Sequence, residues 1–361
     1  MRVWIVIVLT LVSAPLAWAA RPADVTIPKA KLDAYFDAFE KGGLMSGTIA
    51  ISQRGAPSYQ RFLGFASIDA TGPSPTDAGT RYRIGPVSKL FTAVLTMQLV
   101  ERASIGLDSR LAEFFPELPN ALDITYRDLL QQRSGLTNYT DLPQFGQWRL
   151  QAPPRPELFA ALGAPSPPRS RVERSDTDYL LLSYIVEKVH EQRYADLVRR
   201  QIANRVGLMR TYLPDDSRPS PLESRSYYST ESGWKPDAEV DPRAYLGAGG
   251  LVSSPADLVR FLDALFAGKL LTAQSLATMR GSDGEPGAGL VPWTAAGRTG
   301  YGQSGAIDHH ATWIWHSPET GISIAVTTNA STVPLEEIVD EVLALIFERG
   351  HKPRLPLAPR K

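Results

Sequence analysis

The sequence predicts an α+β domain in which an antiparallel sheet is flanked by helices and carries an inserted all-helical subdomain. Two strand patterns near the beginning, at 47–52 and 59–65, are separated by a turn at 54–57. Alternating apolar patterns return near the end, at 310–316 and 322–326. Strands at both ends of the chain, with helices and proline-rich loops between them, are typical of this fold class.

Three helical patterns flank the predicted strands. Residues 29–41 have one apolar face and are followed by Gly42 as the expected stop. Residues 86–102 are apolar nearly all round, which predicts a helix inside the core. Residues 334–347 form a last helix with one buried face.

Composition is that of an ordinary globular protein of 361 residues, of which 43% are hydrophobic. The 38 basic and 38 acidic side chains cancel, whereas nucleic-acid binders normally show a basic excess. We therefore predict no nucleic-acid partner. The chain has no cysteine, which excludes thiol catalysis and cysteine-ligated metal sites. We predict no cofactor and no metal.

The first twenty residues are typical of a secretory signal. Arg2 supplies the positive start, 3–12 is an apolar run, and Ala17-Trp18-Ala19 fits the small-x-small cleavage pattern. The run is short for a membrane span, and a retained N-terminal anchor stays open as the alternative. The signal predicts a periplasmic or secreted protein without a membrane span after cleavage.

The predicted organisation follows from these segments. It comprises a signal peptide, a single domain split into a sheet part and a helical part, and a disordered basic tail: 1–20, 21–350 (sheet part 28–103 and 246–350, helical part 104–245) and 351–361.

Six segments occur in the order and with the spacing of a known family. They are Tyr82 to Ala93, Ile124 to Leu136, Asp178 to Leu182, Gly249 to Leu258, Gly302-Gln303-Ser304-Gly305-Ala306, and Pro318-Glu319-Thr320-Gly321. The chain thereby resembles the class C β-lactamase and D,D-carboxypeptidase family, which is penicillin-binding-protein-like and includes esterases and D-amino-acid peptidases. The resemblance implies the fold of that family over nearly the whole mature chain.

The family's first motif is Ser-x-x-Lys at the start of the central helix, where the serine attacks a carbonyl. Here Pro86 stands three residues before Lys89. Proline has no hydroxyl, and it also lacks the backbone N–H that the resemblance assigns to the oxyanion hole. Loss of one oxyanion donor alone typically raises the barrier by about 2.7–4 kcal/mol. Proline does suit the first position of a helix.

Another serine near Lys89 is Ser88. It lies two residues beyond Pro86, about 200° round the helix axis, and is expected to face away from the lysine pocket. Thr26-Ile27-Pro28-Lys29 also has the spacing, but it has neither the helix nor the family pattern.

The remaining two motifs are altered as well. By alignment, Arg174-Ser175-Asp176 occupies the family's Tyr-x-Asn positions, and an arginine cannot serve as the base. Gln303-Ser304-Gly305 occupies the Lys-Thr-Gly or His-x-Gly strand motif, where glutamine keeps hydrogen-bonding capacity but loses its charge. Arg298-Thr299-Gly300 is the second candidate for that strand motif.

These changes suggest a rebuilt site. In the family the lysine lies beside the asparagine, so we predict an ion pair between Lys89 and Asp176 with Arg174 at its rim. Arg133 is a further candidate because the resemblance implies threonine there. The candidate ligand-binding residues are Lys89, Arg133, Arg174, Gln303 and Ala306, and their charge favours a carboxylate-bearing ligand such as a cell-wall peptide.

The sequence-based interpretation is a catalytically inactive homologue that binds a ligand or regulates a protein partner. A serine hydrolase with an unconventional nucleophile is the alternative, and a purely structural interaction protein with a filled cleft is the third. Asp308-His309-His310 is not a metal motif in this interpretation, because neighbours on a strand point to opposite faces.

Overall fold

The computed structural model describes residues 25–163, 174–215, 218–282 and 287–354. The predicted signal peptide and residues 355–361 of the predicted tail lie outside the described residues. His351 and Arg354, at the predicted start of that tail, both contact the carboxylate of Glu341.

Six strands form the main sheet, and every neighbouring pair in it is antiparallel. They are β1 (Met45–Gln53), β2 (Ala56–Leu63), β9 (Val291–Ala295), β10 (Arg298–Ile307), β11 (His310–Ser317) and β12 (Ile322–Ser331). Their order in space is β2-β1-β12-β11-β10-β9. Strands from both ends of the chain are therefore neighbours in one sheet, which confirms the predicted fold class.

The helices enclose this sheet and extend from it on one side. They are α1 (Lys29–Gly42), α2 (Ser88–Glu101), α3 (Tyr126–Leu130), α4 (Phe145–Trp148), α5 (Arg155–Leu162), α6 (Asp176–His190), α7 (Tyr194–Leu197), α8 (Asn204–Val206), α9 (Pro255–Phe266), α10 (Ala273–Arg280) and α11 (Leu335–Phe347). Among these residues no helix is both long enough and apolar enough to cross a membrane.

The two faces of the sheet bury two separate cores. Trp313 and Trp315 point from β11 towards α1 and α11, whereas Ile314 between them points towards α2 and α9. This alternation follows from the two-residue period of a strand. Between α2 and α9, the rings of Phe91 and Phe261 stack with centroids 4.1 Å apart. The predicted burial of α2 on all sides is confirmed, because nearly all its residues are inaccessible to solvent.

The prediction that 104–245 is all-helical is wrong in one place. Residues Tyr227–Thr230 (β6) and Gly233–Pro236 (β7) form a hairpin. Aromatic and hydroxyl side chains favour extended backbone here, and Gly233 adopts the positive φ of 106° that the tight turn requires. Short strand pairs also occur at β3 (Phe65–Asp69) with β4 (Gly72–Pro75), and at β5 (Tyr82–Arg83) with β8 (Val252–Ser253).

Candidate functional site at the head of the central helix

Pro86 lies at the head of the central helix. Residues Gly85–Val87 form a 3-10 turn that leads directly into α2, and proline occupies its first turn. The ring fixes φ near the helical value, and the missing N–H is one that a helix start leaves unpaired. The position that the family resemblance gives to the nucleophile is therefore a buried proline.

The proline ring fills the space between α2 and strand β10. A Cβ atom added to Gly305 would come within 2.5 Å of three carbons of the Pro86 ring. Gly85, with φ of +51°, lies against the backbone of Ala306 and Ile307 in the same way. Helix head and strand are thus in direct contact where the resemblance predicts an acyl-transfer site.

Lys89 is almost entirely buried one turn further along α2, with 2% of its side chain exposed. Its Nζ atom lies 3.0 Å from Asp176 Oδ1, 2.9 Å from Gln132 Oε1 and 3.2 Å from the carbonyl oxygen of Ser175. The predicted ion pair between Lys89 and Asp176 is confirmed. Because an ammonium group has three N–H donors, these three acceptors satisfy all of them.

Asp176 is held by its own place in the fold. It is the first residue of α6, where an acidic side chain interacts favourably with the helix dipole. Its Oδ2 atom accepts a hydrogen bond from Thr140 at 3.2 Å, and its backbone N–H donates to Asn138 Oδ1 at 2.9 Å. Ser175 caps the helix by accepting from the N–H of Asp178.

Gln132 is a residue of this site that the sequence did not reveal. Besides binding Lys89, its Oε1 atom accepts from the N–H of Ser175 at 3.0 Å. Gln132 has a positive φ of 58°, so the loop after α3 turns sharply there and brings the amide into the pocket. A glutamine in a family loop carries no sequence signal for such a role.

Burial and charge act in opposite directions on Lys89. Burial lowers the pKa of its ammonium group, and Asp176 opposes that shift through its charge and its hydrogen bond. The nearby Arg174 lowers the pKa of Lys89 further by repulsion. Asp178, fully buried behind the ion pair, has its pKa raised to about 6 by burial, although hydrogen bonds from Ser134 oppose the shift.

The serine hydroxyls around Lys89 are engaged elsewhere. Ser88 faces away, as predicted, and its Oγ atom accepts from the N–H of Leu251 at 3.1 Å. Ser134 donates to Asp178 Oδ1 at 2.5 Å. Ser304 pairs with Trp313 in the sheet, so its side chain lies on the face opposite to α2.

Strand β10 supplies the opposite wall of the site. Gln303 pairs with Ile314 and so faces the α2 side, where its Nε2 atom donates to the carbonyl oxygen of Gly289 at 3.1 Å. Ala306 is exposed near the end of the strand. Strand β9 pairs only as far as Gly302, so β10 lacks that neighbour from Gln303 onwards.

The alternative strand motif, Arg298-Thr299-Gly300, lies further from Pro86. These residues pair with β9, and Arg298 forms an ion pair with Glu319 in the turn between β11 and β12. Gly305, not Gly300, contacts Pro86. The geometry therefore favours Gln303-Ser304-Gly305 as the strand motif.

The two arginines predicted for the site are both exposed. Arg174 immediately precedes the N-cap of α6 and is close enough to affect Lys89 electrostatically. Arg133 follows Gln132, and its N–H donates to the carbonyl oxygen of Asp128 at 2.8 Å. His309 and His310 have different partners, Asp237 and Ser224 respectively.

The antiparallel sheet, the enclosed central helix and the motif positions define a member of the serine β-lactamase and penicillin-binding-protein-like superfamily. A family model described as Beta-lactamase matches residues 32–347. The chain belongs to this family.

Related proteins match part of the chain, among them a penicillin-binding protein and a hydrolase. Penicillin-binding protein 4 of Amycolatopsis lactamdurans is 28% identical over 280 residues, covering 69% of this chain and 72% of that protein. The teichoic acid D-alanine hydrolase of Staphylococcus aureus is 22% identical over 236 residues, or 65% of this chain. This chain spans only 58% of the length of that hydrolase.

Solved structures with the same fold cover more of the chain. The D-amino acid amidase from Ochrobactrum anthropi SV3 superposes with a TM-score of 0.75 at 24% identity, covering 88% of this chain and 99% of that one. The octameric penicillin-binding protein homologue from Pyrococcus abyssi also has a TM-score of 0.75 at 24% identity, with 91% and 79% covered. These likenesses show the fold.

Proposed function

We propose that this protein is an exported, catalytically inactive member of the β-lactamase family that acts as a binding or regulatory protein. The observation that carries the proposal is the pair of buried residues at the head of α2. Pro86 offers neither a nucleophilic oxygen nor an oxyanion N–H, and Lys89 has all three N–H groups engaged.

Several further features support the absence of acyl transfer. The lysine that would take a proton from the nucleophile instead lies within ion-pairing distance of a carboxylate, with its Nζ atom 3.0 Å from Asp176 Oδ1. Arg174 replaces the tyrosine of the second motif and cannot release a proton at physiological pH. Gln303 replaces the cationic or imidazole group of the strand motif and has no acid–base function.

The ligand that we propose is a peptide with a free C-terminal carboxylate, of the kind found in cell walls. Arg174 is exposed and close enough to Lys89 to act on it electrostatically, and the exposed Arg133 directly follows Gln132 in the chain. Guanidinium groups bind carboxylates in bidentate geometry. The names of the relatives, a teichoic acid D-alanine hydrolase and a D-amino acid amidase, support a ligand with D-amino acids. The apolar N-terminal run supports a periplasmic or secreted location.

Covalent labelling tests the catalytic half of the proposal. The unmodified protein is expected to be inert towards a fluorophosphonate, a chromogenic cephalosporin and a nitrophenyl ester. Pro86→Ser alone is expected to react at no more than about 1% of the rate of an active relative, because a missing general base typically costs 100-fold or more. Mass spectrometry of the labelled protein locates any adduct.

The matched control is Ser88→Ala, which removes a hydroxyl two residues along the same helix and should change nothing in these assays. Turnover or labelling of the unmodified protein at a defined residue would establish the competing function, a hydrolase with an unconventional nucleophile.

Thermal unfolding tests the binding half. A peptide that ends in D-alanyl-D-alanine is expected to raise the melting temperature by about 2–5 °C at concentrations well above Kd, because it stabilises only the folded state. The same peptide with an amidated C-terminus, and the Arg174→Ala variant with the free peptide, should show little shift. If the free peptide causes no shift, the proposed ligand is wrong; if no small ligand shifts the melting temperature, the result favours a structural interaction protein with a filled cleft.

A further inference from the structure

A cavity of about 440 Å³ lies at one end of the sheet, away from the Pro86 site. The turns β1–β2 and β11–β12 form one side of it, and the C-terminal end of α9 forms the other. His316 on β11 lines the cavity and pairs with Tyr301 on β10. Because Tyr301 is four residues from Gly305, the cavity is about 14 Å along the sheet from Pro86.

A buried hydrogen-bonded chain runs behind this cavity. Asp263 on α9 accepts two short hydrogen bonds, from Ser52 Oγ at 2.6 Å and from Ser323 Oγ at 2.6 Å. His316 Nδ1 lies 2.8 Å from the same Ser323 oxygen. Both serines are inaccessible to solvent, whereas Asp263 and His316 line the cavity.

The direction of these hydrogen bonds fixes the tautomer of His316. A serine hydroxyl has one proton, and Ser323 donates it to Asp263. The hydroxyl can therefore only accept from the imidazole, which places the ring proton on Nδ1. Burial lowers the pKa of His316 to about 4, so the ring is neutral at pH 7.

The Nε2 atom of His316 is consequently a bare acceptor. No hydrogen bond to it occurs within the described part of the chain. The ring is held in place by Phe266, whose ring stacks on it with centroids 4.2 Å apart. The cavity therefore has one hydrogen-bond acceptor in a fixed position, His316 Nε2, beside the apolar ring of Phe266.

The rim of the cavity is lined mainly by cationic side chains, in contrast to the neutral His316 ring. Arg54, Arg260 and Lys269 line it, and Asp263 is the only acidic side chain among its described lining residues. Lys269 is close enough to lower the pKa of Asp263 through its charge, although burial raises that pKa more. Arg260 and Lys269 against the one carboxylate of Asp263 already leave a net positive charge, which attracts anions.

We propose that this cavity binds a small anionic molecule that also bears hydroxyl groups, such as a sugar phosphate. The anionic group interacts with Lys269 and Arg260, and a hydroxyl donates to His316 Nε2. The site combines cationic side chains with a neutral hydrogen-bond acceptor, which distinguishes it from a simple anion-binding surface. It is separate from the site at Pro86.

Calorimetry with glucose 6-phosphate as the probe tests the site at low salt. We expect saturable binding at one site, and binding about tenfold weaker to phenyl phosphate, which lacks the hydroxyl donors. Lys269→Ala should weaken glucose 6-phosphate binding about tenfold, whereas Lys235→Ala, on the remote β6–β7 hairpin, should not. Binding of unphosphorylated glucose should be undetectable.

A long-range proton–nitrogen spectrum of the histidine rings provides an independent readout. The Nδ1–H tautomer of His316 should be visible at pH 7, and its Nε2 resonance should move when glucose 6-phosphate is added. The proposal is overturned if glucose 6-phosphate gives no saturable heat, if Lys235→Ala weakens binding as much as Lys269→Ala, or if His316 carries its proton on Nε2.

Discussion

A variant that carries Pro86→Ser, Arg174→Tyr and Asp176→Asn is expected to hydrolyse a nitrophenyl ester at least about 100-fold faster than Pro86→Ser alone. The serine restores both the nucleophile and its backbone N–H. The asparagine removes the carboxylate charge that pairs with Lys89; its one oxygen can accept from the lysine, and its NH2 group can donate to the Thr140 hydroxyl. The tyrosine restores a hydroxyl that can relay a proton. Burst kinetics with the ester measure formation of the acyl-enzyme.

The matched control carries Pro86→Ala in place of Pro86→Ser and should show no burst, because it restores the N–H but not the oxygen. Ser88→Ala added to the reconstructed variant should leave the burst unchanged. Equal rates for the reconstructed variant and Pro86→Ser would mean that Arg174 and the ion pair between Lys89 and Asp176 are not the obstacles that we infer.

Asp176→Ala is expected to lower the free energy of unfolding by about 3 kcal/mol, because it leaves a buried ammonium without its counter-charge. This value lies at the lower end of the usual cost of breaking a buried ion pair, because 23% of the Asp176 side chain is exposed. Loss of an acidic residue from the first turn of α6 contributes in the same direction. Denaturant unfolding at pH 7 measures the change.

The same variant should gain stability as the pH rises. Burial already lowers the pKa of Lys89 in the folded protein, and the loss of Asp176 lowers it further. Between that pKa and the ordinary lysine value of about 10.4, the folded state binds fewer protons than the unfolded state, so stability increases with pH. Above that interval the increase should end.

Lys89→Met combined with Asp176→Ala should recover most of the loss at pH 7 and abolish its pH dependence, since no buried charge remains. If Asp176→Ala is as stable as the unmodified protein, water or another acceptor satisfies the ammonium, and the ion pair is not what holds Lys89.

The central part of the fold could be predicted because the hydrophobic pattern of each segment agrees with how deeply that segment is buried in the folded protein. Helix α2 is apolar all round, and a buried position is the only environment that satisfies such a helix. The alternation of Trp313, Ile314 and Trp315 likewise predicted a strand, and the structure shows that both of its faces are covered. The hairpin at 227–236 was missed because its strands have four residues each, too few for a clear period.

Within the candidate site, only the residues that belong to a family motif could be predicted from the sequence. The spacing from Pro86 to Lys89 and the alignment of Arg174 and Asp176 sufficed to predict the ion pair, because the family resemblance fixes which segments meet. Gln132 was missed because its contact depends on a left-handed backbone turn. The His316 cavity was missed because α9 and two separate turns create it, and no local pattern records that meeting.

By itself the sequence determined which atoms the site lacks: residue 86 has neither a hydroxyl nor an amide hydrogen, whatever the fold. Only the tertiary structure decided how the groups around residue 86 are arranged. The proline ring packs against Gly305, and Lys89 Nζ lies within hydrogen-bonding distance of three acceptors. The physical reason is that covalent chemistry belongs to a single residue, whereas packing and charge compensation arise between segments that are distant along the chain.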